Sequence, residues 1–349
     1  MQFSERLQKW YQIHHRDLPW RHTQDPYVIW LSEIILQQTR VEQGLPYFYA
    51  FVQRFPHVQA LASAEEGEVL RLWEGLGYYS RGRNLLKAAK WVMDKWNGRF
   101  PTAYQDLLTL PGVGPYTAAA IASFAAGEAK AVVDGNVYRI LSRFFGIDLP
   151  INKPLGQKYF AELAESCLDK KNPGLHNQAI MEFGALHCKP KQPLCPQCPL
   201  SDACVALAKG KIDQLPVKVK GKPVRPRYFH YFILEKESSI AVSQRNLGDI
   251  WANLYEFPML ETTEEVQALD LLMHPRLVEW FGENFSLELL MQPPPHLLSH
   301  QKIHAKFYKV VGFNDFLRKK SSWNYVLLKD LDTLAKPKVI YTFLKAYLH

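Results

Sequence analysis

No apolar run in the 349 residues is long enough to cross a bilayer, and the opening MQFSERLQKWYQIHHRDLPW lacks the apolar core of a signal peptide. Cysteine is scarce. There are five, an odd number with four crowded into one stretch, which argues against a secreted disulfide framework. Acidic residues are outnumbered, 34 Asp and Glu against 42 Lys and Arg, which leaves a formal charge of +8 and a pI near 9.1. These shortages set three expectations: a cytoplasmic address, no membrane partner, and an anionic partner with nucleic acid the first candidate. What is plentiful is apolar mass. Hydrophobic residues make up 47% and aromatics 13%, enough for a sizeable core, and the length implies about two domains.

Phe3, Leu7, Trp10 and Ile13 recur at near-helical spacing and predict an amphipathic helix. Asp25-Pro26 then reads as an N-cap with Pro at the first helical position, opening one helix over YVIWLSEIILQQTRVEQ. Glu33 lies inside it among Val28, Ile29, Trp30, Leu31, Ile34, Ile35 and Leu36. Apolar residues surround that helix on nearly all sides, so a lined pocket explains Glu33 better than a solvent strip does. A carboxyl there loses water, its pKa rises, and it stays protonated near neutrality as a proton donor.

Residues 110–139, LPGVGPYTAAAIASFAAGEAKAVVDGNVYR, concentrate further chemistry. A tight Pro111-Gly112-Val113-Gly114-Pro115 turn sits between helical segments, and the helix after it is Ala-rich, so another backbone can pack closely. A glycine turn at a helix start leaves backbone N–H groups outward, which suits a phosphate, although such turns are often only turns. Asp134, before the apolar-periodic run from Val137, reads equally as a plain N-cap or as a carboxylate at a helix mouth. Upstream, Gly75-Leu76-Gly77-Tyr78-Tyr79-Ser80-Arg81-Gly82-Arg83 offers either a stacking and phosphate surface or packed aromatics.

After Arg139 the pattern stays helical through Lys170, and HNQAIMEFGALH (176–187) leads into a loop with Cys188, Cys195, Cys198 and Cys204. That C-x6-C-x2-C-x5-C spacing predicts a closed metal site and leaves Zn and a [4Fe–4S] cluster both open. Cys167 is read as a core thiol. Residues 209–227 are basic and Pro-containing, an exposed linker that attracts phosphate. From Tyr228 the pattern turns strand-like, with helices expected at 264–273 and 339–348, which makes a separate α+β domain. His300 and His304 are four apart, but without a carboxylate partner they carry little weight as a metal pair.

Taken together, LPWR, WLSEIILQQTRV, GLGYYSRGRN, LPGVGPYTA, VDGNVYR and the four-cysteine loop resemble the helix-hairpin-helix, Gly/Pro-Asp superfamily of DNA glycosylases that includes endonuclease III. Within it they are similar to the branch that removes adenine mispaired with 8-oxoguanine. The resemblance spans nearly the whole chain and weakens after Tyr228. It implies an all-helical glycosylase domain (1–214) whose Cys188, Cys195, Cys198 and Cys204 hold a [4Fe–4S] cluster. A basic linker (215–227) and an α+β Nudix-like domain (228–349) that reads 8-oxoguanine follow it.

The same resemblance implies residue roles. Glu33 protonates the adenine ring, Asp134 stabilises the sugar cation, Tyr116 hydrogen-bonds at the same centre and Asn136 orients a reacting group. The helix start is expected to keep Asp134 ionised. Arg21, Leu36, Val41 and Gln178 line the adenine pocket, while Gln38 and Tyr78 wedge into the stack near 8-oxoguanine. Gly112, Val113 and Gly114 hold a DNA phosphate. Leu298-Ser299-His300 stands where the branch has Phe-Ser-His, so Ser299 and His300 are candidate contacts and the Leu alters the apolar tip.

Bifunctional members carry a Lys two residues after the hairpin's last Gly. Tyr116 occupies that position here, which implies a monofunctional hydrolase. The expected partner is double-stranded DNA with an A:8-oxoG or A:G mispair, bound by a monomer. Three alternatives are a bifunctional endonuclease III-like glycosylase/lyase, a non-catalytic iron–sulfur lesion-binding module, and a Nudix hydrolase. The last needs a metal-binding Glu box, and Glu264-Glu265 lack the following Gly it requires.

Overall fold

The computed structural model describes residues 3–221, 223–298, 300–313 and 323–348. These fall into two units, one from 1–64 with 83–220 and the other from 65–82 with 221–349. The helices are α1 (Phe3–His14), α2 (Pro26–Leu36), α3 (Val41–Arg54), α4 (Val58–Ala62), α5 (Glu66–Leu72), α6 (Ser80–Trp96), α7 (Tyr104–Leu107), α8 (Pro115–Ala126), α9 (Gly135–Phe145), α10 (Pro154–Cys167), α11 (Pro173–Leu186), α12 (Val205–Ala208), α13 (Ala268–Leu272), α14 (Pro275–Phe281) and α15 (Lys338–Tyr347), of which α5 and the last three lie in the second unit. The strands are β1 (Arg225–Ile233), β2 (Glu235–Lys236), β3 (Ser239–Gln244), β4 (Tyr255–Glu256), β5 (Met259–Thr262), β6 (Ser286–Met291), β7 (His296–Leu297), β8 (Gln301–Val311) and β9 (Asn324–Leu327).

In the first unit the Asp25 side chain caps α2, accepting from the Tyr27 amide at 2.9 Å with Pro26 in the first turn. Every residue from Ile29 to Ile35 is buried, so α2 is a central helix without a wet face. It does not continue to Gln43 as its sequence suggests. Gln38 turns left-handed at φ +56°, and α3 doubles back beside the end of α2. The approach is close. A Cβ on Gly44 of α3 would meet Leu36 Cδ2 at 2.8 Å.

The Ala run of α8 is buried from Thr117 to Ser123 and packs against α2 and α11, as small side chains permit. Leu7 and Trp10 of α1, Val137, Ile140 and Leu141 of α9, Phe160 of α10 and Ile180 and Phe183 of α11 form the core. Ile13 departs from the expected apolar stripe and is 78% exposed, while Tyr11 is buried instead. The expected helix through Lys170 is two helices, because Gly146 ends α9 in the left-handed region at φ +69° and Pro154 restarts the chain as α10.

The second unit is built on a parallel pair, β1 with β8, running from Arg225↔Gln301 to Ile233↔Lys309. β5 flanks β1, and β6 and β7 flank β8, all antiparallel. Among the described residues a smaller sheet runs β2-β3-β4 with β9 on β3. The inner pairing explains why Phe229 to Leu234 is one continuous buried run rather than an alternating one. Phe232, Leu260, Leu277, Phe281, Tyr308 and Val310 fill one side, and Phe307 stacks on Phe343 of α15 at 4.2 Å on the other.

Three features differ from the sequence expectation. The helix expected at 264–273 is only Ala268–Leu272, and α14 and the edge strand β6 appear where no element was read. Residues 65–82, expected within the helical domain, group with the second unit. There the Tyr79 hydroxyl donates to the Lys336 carbonyl at 2.8 Å and the Asn253 amide donates to Glu66 at 2.5 Å.

The basic linker is also more tied down than a tether. Ile151 N donates to the Val217 carbonyl at 3.1 Å, and Asn152 bonds both the amide and the carbonyl of Val219. Its last residue, Arg227, is no phosphate-facing cation. It lies buried in β1, with 2.6 Å bonds from Nη2 to both Asp249 and Glu261. These bonds hold the Asp249 carboxyl down at about 2. Arg227→Ala should therefore destabilise the second unit by about 2 kcal/mol at neutral pH, after discounting for the partly exposed carboxylates. Urea melts followed by tryptophan fluorescence measure it. The gap should persist at neutral pH and shrink as pH falls from the ordinary Asp range of 3.8 through about 2, where the native partner protonates.

Candidate active site

Glu33 of α2, Tyr116 of α8, and Asp134 and Asn136 at the start of α9 line one cavity of about 330 Å³ in the first unit. Packing of α2 on α8 sets the first contact: the Tyr116 hydroxyl donates to Glu33 Oε2 at 2.7 Å. Glu33 is 7% exposed. Burial pushes its carboxyl up to about 7, against the opposing pull of the Tyr116 hydrogen bond. The nearby Asp134 charge adds to the rise and Arg21 opposes it. Tyr116 itself is held well above the ordinary phenol range by burial and by both carboxylates, so it remains a donor.

Asp134 is the N-cap of α9. Its Oδ1 accepts from the amides of Asn136 at 2.9 Å and Val137 at 2.8 Å, and its Oδ2 accepts from Asn136 Nδ2 at 2.8 Å. The helix start supplies the donors expected to favour the ionised form of this carboxyl. Burial is the largest influence and raises it, with these hydrogen bonds and Arg139 pulling the other way. Asn136 is held in turn, since its Oδ1 accepts from Arg139 Nη2 at 2.8 Å. Arg139 also donates to the carbonyls of Gly184 and Cys188 at 2.7 Å.

Arg21, Leu36 and Val41 line the same cavity. Gln178 does not. It lines a neighbouring chamber of about 40 Å³ with Glu33, Arg21, Trp20 and Met181, and accepts from the Tyr11 hydroxyl at 2.7 Å. Gln38 is exposed in the α2–α3 turn. Tyr78 belongs to the second unit, left-handed at φ +47° and 46% exposed. His300 is exposed there, its carbonyl accepting from Arg225 N at 3.1 Å, while Ser299 lies outside the described residues. His304 stacks on Tyr228 at 4.9 Å, which gives it a packing role.

Among the cavity residues that escaped the sequence reading are Arg16 and Glu182. The cue that marks Glu33, a carboxylate in an apolar helix, also marks Glu182 between Ile180 and Phe183.

Across the hairpin between α7 and α8, Gly112 sits at φ +80°, where a Cβ would meet Asn84 Cβ at 2.7 Å. Val113 is buried and bonded back to Leu110. Gly114 caps α8 without a side chain, leaving an exposed helix start.

Cys188, Cys195, Cys198 and Cys204 are all half-buried free thiols. Burial pushes the Cys198 thiol up to about 11, with the Leu200 amide opposing and the Cys188, Cys204 and Cys195 sulfurs adding to the rise. Arg143 Nη1 points at Cys188 Sγ at 3.5 Å and Leu200 N at Cys198 Sγ at 3.4 Å. Four soft donors with N–H groups aimed at sulfur suit an iron–sulfur cluster. Among the described residues no group of three or more His, Cys, Asp or Glu is arranged to hold a metal ion.

The HhH-GPD superfamily of base excision DNA repair proteins matches residues 31–165, and a NUDIX domain matches residues 230–346. A thermostable thymine-DNA glycosylase structure has a TM-score of 0.56 at 31% identity over 59% of this chain and 95% of its own. An endonuclease III–DNA complex scores 0.52 at 22% identity, covering 59% of this chain and 94% of its own, which is a likeness of fold. The class is thus a helix-hairpin-helix base excision repair glycosylase with a Nudix-like second unit. The adenine DNA glycosylase of Buchnera aphidicola from Schizaphis graminum is 32% identical over 99% of this chain and 98% of its own. The human adenine DNA glycosylase is 34% identical over 88% of this chain and 66% of its own. The chain belongs to the adenine DNA glycosylase family, the MutY type.

A Cβ on Gly184 would meet Asn136 Cβ at 2.5 Å, so Gly184→Ala should push α11 off α9 and displace the Asp134–Asn136 pair. We expect a loss of about 1–3 kcal/mol in a denaturant melt and an excision rate lowered beyond that loss. Glu33 makes a second test. A folded-state carboxyl raised from 4.5 to about 7 gives stability that is complete below 4.5 and lost as pH rises through 7. Relative to wild type, Glu33→Gln should gain about 2–3 kcal/mol between pH 4 and pH 8 in melts across that range.

Proposed function

We propose that this enzyme hydrolyses the N-glycosidic bond of adenine mispaired with 8-oxoguanine in double-stranded DNA, acting as a monomer and without strand cleavage of its own. One observation carries the reading. Glu33, dry and titrating near 7, shares a cavity with a second carboxyl, Asp134, which is gripped by three hydrogen bonds. Two carboxyls in different environments suit an acid and an ion stabiliser.

The flipped adenine enters the cavity, at an unstacking cost of a few kcal/mol. Glu33 passes its proton to a ring nitrogen as the C1′–N9 bond breaks, so the purine leaves neutral with the bonding pair. Tyr116, hydrogen-bonded to Glu33, keeps that carboxyl aimed. Asp134 faces the sugar cation, Asn136 holds Asp134 in place, and water closes C1′. Arg21, Leu36 and Val41 border the base, with Gln178 in the chamber beside Glu33.

Gly112, Val113 and Gly114 present the start of α8 to a DNA phosphate. Cys188, Cys195, Cys198 and Cys204 hold a [4Fe–4S] cluster, which supplies a covalent tie for the loop. The second unit reads 8-oxoguanine through the 298–300 loop. Gln38 and Tyr78, both exposed in left-handed turns, serve as wedges.

The test uses a duplex with one adenine opposite 8-oxoguanine, beside G:T, thymine-glycol and fully paired duplexes, each split with and without hot alkali. A strand break at the adenine only after alkali is expected, abolished in Glu33→Gln and Asp134→Asn with DNA binding kept. Cleavage without alkali or on thymine glycol would overturn the monofunctional reading. Product at G:T alone would favour a thymine glycosylase. No product with tight binding would leave a lesion-binding module.

A further inference from the structure

The cavity around Glu33 carries fixed positive charge that the proposed chemistry has to tolerate. Arg16 and Arg21 reach it from the segment after α1, and Arg40 from the turn before α3. Excision builds positive charge on the purine ring and again on the sugar, and bare guanidiniums would oppose both.

Glu182 of α11 meets two of these cations. Its side chain is only 1% exposed. Oε1 accepts from the amide and Nε of Arg16 at 2.9 Å and from Arg21 Nη1 at 3.2 Å. Oε2 accepts from Arg16 Nη2 and Arg21 Nη2, each at 2.8 Å. The Arg21 guanidinium is fixed further, by a 2.8 Å bond to the Arg16 carbonyl and by the Tyr11 ring 5.5 Å below it. Both arginines are thereby drawn onto α11.

We propose that Glu182 is a positioning residue for excision: it holds Arg16 and Arg21 against α11 and offsets part of their charge, keeping the cavity receptive to a cationic ring and sugar. The inference rests on the function proposed above. Burial alone would raise the Glu182 carboxyl, but its hydrogen bonds hold it down at about 2, so it is an anion throughout the working range. Glu33 feels the balance. Arg21 pulls its proton affinity down while Asp134 raises it, and Tyr116, Arg40 and Glu42 complete the ionisable groups of the same cavity. Removing the Glu182 charge leaves a net cationic wall that favours the Glu33 carboxylate and deprives the reaction of its acid at lower pH.

The experiment measures single-turnover excision of adenine opposite 8-oxoguanine by the full chain, from about pH 5 to 9. Glu182→Gln keeps the shape and drops the charge. We expect a rate lowered roughly tenfold or more and an alkaline limb moved to lower pH, with binding to a non-cleavable duplex retained. Glu182→Asp keeps the charge and should keep the wild-type limb. Adding Arg16→Gln to Glu182→Gln should recover part of the rate, because it removes one uncompensated cation. A contact-only role predicts the reverse: the double variant falls further, and Asp fails as badly as Gln. That pattern overturns the proposal, as does a Glu182→Gln enzyme with the wild-type rate and limb. Should Glu182→Gln fail to fold, the Asp limb and the double variant decide. Wild-type protein inactive on this duplex would count instead against the proposed function.

Discussion

Everything at the site depends on keeping water away from Glu33. A carboxyl in an exposed helix titrates near its ordinary value and is an anion at neutral pH, useless as a proton donor. Here α2 is buried along its whole middle, the alanines of α8 bring Tyr116 to 2.7 Å, and the carboxyl rises to about 7. Tyr116 opposes that rise through its hydrogen bond, and desolvation outweighs it. The close packing of small residues is therefore part of what raises this carboxyl, and a wider α2–α8 spacing would readmit solvent.

The same dryness makes every other charge in the cavity expensive. Asp134 is raised by burial despite three hydrogen bonds, and two arginines are tolerated where Glu182 answers them. The Glu182 pair joins α11 to the segment after α1, whereas Asp134 is held by the first turn of its own helix. Arg139 extends the principle, tying Asn136 to the carbonyls of Gly184 and Cys188, so α9, α11 and the start of the cysteine loop share one buried cation. Polar groups here are arranged before any substrate arrives, which lowers the reorganisation that excision has to drive.

The second unit solves a different problem, a sheet with a buried parallel centre. Its strand β1 carries Arg227 as its third residue, whose two carboxylate partners let a charge sit in the sheet, and from Phe229 runs buried because both faces are covered. Residues 65–82, which carry Tyr78, group with this unit through contacts such as Tyr79 to Lys336.

The sequence alone determined the local and the chemical. Asp25-Pro26 opened α2, the glycines marked the hairpin turn, the apolar surroundings of Glu33 announced its dryness, and four cysteines in one stretch raised the expectation of a metal site. These are near-neighbour properties, carried by spacing and residue type. Only tertiary structure decided what lies far apart in the chain. It broke the expected helix at Gln38 so that α3 could fold back, moved Gln178 into a side chamber and turned Arg227 inward. It also joined Arg16 to Glu182 and raised Asp134 despite its cap. The reason is physical: desolvation and ion pairing depend on which surfaces meet, and one strand of sequence does not contain its own neighbours.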